Sequence, residues 1–132
     1  MNLKKFIGLP YKYLGRDFDG VDCYGLLFLI YKHVLGIDLP EYSNFYTQDW
    51  YKTEDHIVDQ FHTFMEKIDP PYKKFDGILL RHGTKTIVNH IATYLGENKM
   101  IHIYKGSTSR IDRFTGFWES KLYTGVRFKY NG

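Results

Sequence analysis

One cysteine and six histidines carry the reactive chemistry of this sequence. The cysteine, Cys23, lies in YLGRDFDGVDCYGLLFLIYKHVLG, residues 13–36, where a polar, glycine-punctuated stretch gives way to an apolar run. Asp22 is a good N-cap and Gly36 a good residue just past a helix end, so the pattern predicts a helix starting at Cys23 and running to Gly36. In the first turn, the thiol meets unsatisfied backbone N–H groups and the positive end of the helix dipole, and both favour thiolate. The preceding loop is expected to leave the site open. Leu26, Leu27, Ile30 and Val34, flanked by Phe28 and Leu29, leave little polar face, so the helix is expected to be central and rigidly held, as an aimed nucleophile requires. The plainer alternative is an inert small side chain in a helix.

A cysteine nucleophile needs a base, usually histidine, and the base needs an orienting partner. His33 falls at the C-terminal end of the apolar helix, a dipole-compatible structural position. His56 and His62 are six residues apart, which on a helix separates their faces and makes no metal pair. His82 falls in a glycine-containing loop and is expected to be solvated. His90 and His102 differ, because both lie in strand-like runs of NHIATYLGENKMIHIY, joined around Gly-Glu-Asn as a hairpin. By strand alternation His90 shares a face with Ala92 and Tyr94, and His102 shares one with Met100 and Tyr104. Whether the two faces coincide depends on the loop. A two- or four-residue loop puts the rings on opposite faces. A three-residue loop over 96–98 sets His102 opposite Ala92 and makes His90 its diagonal neighbour, roughly 7–8 Å away. Asn98 suits the left-handed conformation such a loop wants. A working His90–His102 pair therefore requires an odd-length loop or a compensating bulge.

The remaining sequence has to position these groups. A chain of 132 residues reads as one domain, 1–132, long enough to bury a core without disulfides or metals. It has no internal repeat, low-complexity tract or linker. A turn-rich loop with Pro10, Gly15 and Gly20 precedes the central helix. The stretch after Gly36 begins as a loop and is expected to become a helix near 53–67, with Ile57, Phe61 and Met65 at spacing four beside Val58 and Phe64, ended by Pro70-Pro71. FDGILL (75–80), TIVNHIATYLG (86–96) and KMIHIY (99–104) read as strands, and the tail RIDRFTGFWESKLYTGVRFKYNG as one or two more. Helices first and strands later imply an α+β domain with a mostly antiparallel sheet.

Composition narrows the classes further. The net charge is +3 with no run of five Lys or Arg, so nucleic-acid binding has no positive support. A single cysteine excludes an intramolecular disulfide and a CxxC zinc or redox site. MNLKKFIGLPYKYLG lacks the apolar run of a signal peptide, and no segment approaches the roughly 18 apolar residues of a membrane-spanning helix. The expectation is a chain made in a cytoplasm, without membrane insertion, and carried elsewhere by another device.

The reactive segments resemble those of a known family. PYKYLG…DGVDCYGLLFLIYKHVLGIDLP resembles the nucleophile segment of the NlpC/P60 cysteine peptidases, which usually reads PYxxGG…GxDCSGLxxxxYxxxGIxLP. FDGILL is similar to the family's GDLxFF strand, NHIATYLGENKMIHI to its HVGIYxGxGxxIHA hairpin, and FWESKLYTGVRF to its closing segment. The matches occur in order and cover nearly the whole chain. The resemblance implies a papain-like α+β fold, with N-terminal helices and a central antiparallel sheet. It also implies an endopeptidase acting on peptidoglycan stem peptides, most often after γ-D-glutamate, with no metal and no cofactor. By matching position, Cys23 is the nucleophile, His90 the base and His102 its orienter. Tyr11 is the tyrosine whose hydroxyl lines the oxyanion site, with the backbone N–H of Cys23 as the other donor. Asp22 matches the residue before the nucleophile and is expected, with Tyr24 and Glu41, to contact substrate.

Two departures bear on substrate. The usual Ser after the cysteine is Tyr24, a phenol expected at the substrate mouth. LPEYSNFYTQ replaces the segment where many wall-acting members place an Asp-Ser pair on the stem-peptide amine, leaving Glu41 as the candidate. The aromatic residue after the cysteine is most similar to tail-assembly and tail-tip members of tailed bacteriophages. That implies tail-tip partners, a virion location and action during cell entry. Two rival readings follow: a structural tail component with an occluded Cys23 and Tyr24 filling the groove, or a thiol amidase or acyltransferase with a non-wall substrate.

Overall fold

The computed structural model describes residues 3–41, 65–83 and 88–129. A helix, α1, spans Cys23–Ile30 and all eight of its residues are buried. Its start is set by Asp22, whose extended backbone and side chain cap the first turn by accepting from the Gly25 N–H at 2.8 Å. A wider π-turn, Tyr31–Leu35, continues it, and Gly36 ends it at φ +69°, a left-handed value that glycine takes without strain. A short β1–β2 hairpin, Arg16–Asp17 and Gly20–Val21, precedes the helix.

The sheet has six strands, all antiparallel: β3 (Met65–Ile68), β4 (Gly77–Leu80), β5 (His90–Gly96), β6 (Lys99–His102), β7 (Arg110–Arg113) and β8 (Leu122–Phe128). Their spatial order is β3-β8-β4-β5-β6-β7. Strand alternation separates two apolar faces. Leu79, Ile91, Ile101, Val126, Phe128 and Met65 share a core with α1. Ile78, Leu80, Ala92, Tyr94 and Met100 join Phe114 in a second, smaller core. The architecture is α+β, as the order of elements in the sequence predicts.

One element differs from expectation. Met65–Ile68 is a strand paired with Gly125–Phe128, so the helix expected near 53–67 does not reach its predicted end. Met65 is buried while Glu66 and Lys67 are exposed, and the strand forms the edge of the sheet, paired with β8. Ile57, Val58, Phe61, Phe64, His56 and His62 lie outside the described residues.

The N-terminal leg is tied down by one buried hydroxyl. Ser109 Oγ donates to the Phe6 carbonyl at 2.6 Å and accepts from the Leu9 N–H at 2.8 Å. Backbone bonds from Gly8 to Ser109 and from Ser109 to Leu9 complete the clasp. It holds Pro10 against Thr108 and lays Tyr11 beside Val21, two residues before the thiol.

Close approach explains Gly25. A Cβ there would be driven into the Gly15 carbonyl oxygen and would crowd Arg16 Nη1 at 2.9 Å and Asp22 Oδ1 at 3.1 Å. Helix propensity alone makes Gly25→Ala stabilising by about 1 kcal/mol. The backbone clash should instead make it destabilising by about 3 kcal/mol. A urea unfolding curve gives the sign directly, and a stabilised variant would remove the clash argument.

Candidate active site

Cys23 is 7% exposed. The expected open site is therefore closed, and the 14–16 loop folds back onto the helix start. The Leu14 N–H donates to Asp22 Oδ2 at 3.0 Å, and the Gly15 carbonyl lies against Gly25. The Cys23 sulfur comes to the backbone amides of Ile91 and Tyr24, both of which favour thiolate. Ile91 is the residue after His90, so the thiol sits at the root of the histidine strand. Burial wins over these amides, and the Asp22 carboxylate adds to it. Together they push the thiol up to about 12. The resting group is a thiol, not the thiolate that the helix dipole alone suggests.

The hairpin between β5 and β6 brings the two candidate histidines together. Thr93 pairs with Ile101 and Tyr94 with Met100, and the register then shifts so that Gly96 pairs with Lys99. A two-residue turn, Glu97-Asn98, closes it with φ of 53° and 58°. Such a turn alone would set the rings on opposite faces. The extra residue at the bulge restores the shared face. His90 Nε2 and His102 Nδ1 are 2.8 Å apart, and both rings are buried.

The contact continues to groups that the sequence reading passed over. His102 Nε2 lies 2.7 Å from Asp112 Oδ2, and Arg110 holds the carboxylate through Nη2 to Oδ1 and Nε to Oδ2, each at 3.0 Å. On β7, Asp112 pairs with Met100 and so shares the even-numbered face of His102. Alternation in RIDR was the available signal, and it lacked a register. His82, expected to be solvated, is half-buried against Tyr104 at 4.5 Å, Trp118 at 5.3 Å and His90 at 5.8 Å between ring centroids. Trp118 also meets His102 edge-on at 4.6 Å. His33 is exposed and packs on Phe18.

The residues flanking the thiol take roles of their own. Tyr24 is 2% exposed, and its hydroxyl donates to the Pro40 carbonyl. The phenol therefore faces the core and does not stand at a substrate mouth: its ring is covered by Phe28 and by the Arg16 guanidinium at 5.2 Å. Arg16 also donates to Asp22 Oδ1 at 2.9 Å and to the Glu41 carbonyl from Nε and Nη2 at 3.1 and 2.7 Å. It thus joins the N-cap to the segment after the helix. Asp22 is buried and accepts from Gly25, Leu14 and Arg16, which makes it a support of the helix start. Glu41 offers Arg16 its carbonyl, and the residue is exposed. Tyr11 is half-buried beside Val21.

The electrostatics leave the imidazoles neutral. Burial holds His90 well below the usual histidine range, and its two histidine neighbours add to this. Burial also lowers His102, although Asp112 works the other way. Hydrogen bonds from His102 and Arg110 hold Asp112 below the usual carboxylate range, despite the opposing effect of burial. At rest the thiol and both rings are neutral, and the rings are backed by a carboxylate. Among the described residues no group of three or more His, Cys, Asp or Glu is arranged to hold a metal ion, and no helix is long and apolar enough to cross a membrane.

A helix-start thiol packed on a sheet that carries an imidazole pair defines an α+β domain of the papain-like type. The model of the NlpC/P60 family matches residues 8–127, and the chain belongs to that family. The Gamma-DL-glutamyl hydrolase of Bacillus subtilis (strain 168) is 28% identical over 127 residues, covering 94% of this chain and 27% of that protein. The Tail tip assembly protein K of Escherichia phage lambda is 26% identical over 126 residues, covering 92% of this chain and 61% of that one. The crystal structure of a Bacillus cereus NlpC/P60 family protein superposes with a TM-score of 0.66 at 26% identity, covering 93% of this chain and 36% of that one. The chain thus spans only part of each relative's length.

The neutral site sets a pH dependence. His90 and His102 are lowered in the folded state, so below 6.5 the unfolded chain binds protons that the folded chain does not. Stability should therefore fall as pH drops below 6.5, by up to about 1.4 kcal/mol per pH unit for each ring. His90→Gln should flatten the slope. Cys23 is raised, so its contribution is complete below 9.0 and is lost as pH climbs toward 12. Urea midpoints across the range test both limbs, and an acid limb equally steep in His90→Gln would remove His90 from the account.

Proposed function

We propose that this chain is a cysteine endopeptidase that hydrolyses amide bonds of peptidoglycan stem peptides, after γ-D-glutamate, and that it acts as part of a phage tail tip during cell entry. One observation carries the reading. The only thiol sits at a capped, buried helix start, against the amide that follows His90, and His90 is linked to His102 by a buried contact. Likeness to a protein named as a γ-DL-glutamyl hydrolase supports the bond class, and likeness to a tail tip assembly protein supports the setting.

The neutral resting state shapes the mechanism. A thiol raised to about 12 and an imidazole held well below the usual histidine range do not form a stable ion pair. His90 therefore acts as a general base, taking the thiol proton as sulfur attacks the amide carbonyl. The Tyr11 hydroxyl and the Cys23 backbone N–H stabilise the oxyanion. His90 returns the proton to the leaving amine, the C–N bond breaks and a thioester remains. Water, deprotonated by His90, then releases the acid and restores the thiol. His102 orients His90, and the exposed Glu41 is the proposed partner of the stem-peptide amine.

The test is digestion of purified peptidoglycan with products identified by mass. Wild type should release muropeptides. Cys23→Ala and His90→Ala should each lose at least about 10³-fold in rate, and Tyr11→Phe roughly 10²-fold, chiefly in kcat. Products that persist in Cys23→Ala would overturn the assigned nucleophile.

A second reading is favoured by the burial of Cys23 and by Tyr24 packing inward beside it. The domain is then a structural tail component with little catalysis. Under that reading, wild type releases no muropeptide, and particles carrying Cys23→Ala infect as well as wild type. Loss of infectivity in that variant, with the fold intact, removes it.

A further inference from the structure

The contact chain behind His90 does more than fill space. Each link is a short polar contact: His90 Nε2 to His102 Nδ1 at 2.8 Å, His102 Nε2 to Asp112 Oδ2 at 2.7 Å, and Arg110 on both oxygens of Asp112. His90 and His102 are buried, while Asp112 is partly buried at the rim. We propose that Asp112 is a positioning residue that dictates, through His102, which nitrogen of His90 carries the proton, and so leaves His90 Nδ1 as the base.

Donor and acceptor capacity sets the order of protons along the chain. A carboxylate only accepts, so the shared hydrogen of the Asp112 contact belongs to His102 Nε2. A neutral ring has one N–H, which leaves His102 Nδ1 bare. That atom can only accept, so His90 Nε2 must be the donor across 2.8 Å. His90, also neutral, then has a bare Nδ1. Burial keeps both rings in the neutral form that this requires. Without Asp112, the reversed arrangement is available: His102 protonated on Nδ1 and His90 on Nδ1, with no lone pair for the thiol. In the forward arrangement the proton leaves Cys23 Sγ for His90 Nδ1. The resulting imidazolium keeps its Nε2–H bond to His102, and nothing else is transferred.

This inference rests on the reading of Cys23 and His90 as the reacting pair, but its main readout does not need turnover. Histidine tautomers are read from long-range proton–nitrogen correlation spectra of protein labelled with ¹⁵N-histidine, assigned by single His→Gln variants. Wild type should show His90 and His102 both protonated on Nε2. Asp112→Ala should move a measurable fraction of both rings to the Nδ1–H form. It should also lower kcat by about 10- to 100-fold, with KM nearly unchanged. Arg110→Ala removes the ion pair while leaving the carboxylate, and should keep the wild-type tautomers. A merely structural ion pair predicts equal effects in the two variants, and that result overturns the proposal. So do unchanged tautomers in Asp112→Ala. If wild type shows the two Nε2–H rings and Asp112→Ala moves them, yet wild type cleaves no peptidoglycan, the hydrolase reading falls and the proton-ordering role of Asp112 stands.

Discussion

Glu97 and Asn98 both occupy the left-handed region, and the bulge beside them adds one residue to β5. The pairing of His90 with His102 depends on that extra residue. Side chains alternate along a strand, so a slip of one position sends a whole set to the opposite face. Without the bulge, either His90 or His102 would point into the core that faces α1, and the 2.8 Å contact could not form. The turn is held from both sides: the Asn98 N–H donates to the Tyr94 hydroxyl, and the Asn98 carbonyl accepts from Phe114. A local backbone feature at the tip of a hairpin thereby sets the ring geometry at its base.

Burial governs the chemistry that this geometry permits. The helix start and two backbone amides favour a thiolate, but the sulfur is buried and the Asp22 carboxylate stands next to it. Desolvation prevails, and the resting site is neutral. Neutrality then gives the hydrogen-bond chain its direction. A protonated ring donates from both nitrogens and carries no tautomer information, whereas two neutral rings anchored on a carboxylate have a defined order. Closure of the site and ordering of its protons therefore share one physical cause.

Arg16 links the parts that the chain order keeps apart. Its guanidinium meets the N-cap carboxylate, the Gly15 and Glu41 carbonyls and the face of Tyr24. The planar fork satisfies several acceptors at once, which a lysine could not do. Tyr24 is thus part of the support for the helix start, with its hydroxyl on Pro40. The aromatic residue after Cys23, read from sequence as a substrate contact, is packed inward against Phe28.

Much of this was legible in the residues themselves. The Asp22 cap, the apolar run after Cys23, the left-handed Gly36 and the β5 and β6 alternation depend on neighbours within a few positions, and they appear as read. The requirement for an odd loop or a bulge could be stated from parity alone. Which of these the chain uses could not. Met65–Ile68 carries helix-compatible spacing, yet it is a strand because β8, some sixty residues on, offers it a ladder. Asp112 joins the site through the β6–β7 register, and the state of Cys23 depends on its burial in the folded chain. Local pattern and residue type determined the helix, most of the strands and the candidate reacting groups. Strand register and desolvation are sums over residues distant in sequence, so only the tertiary structure decided which side chains meet and which of them hold a proton.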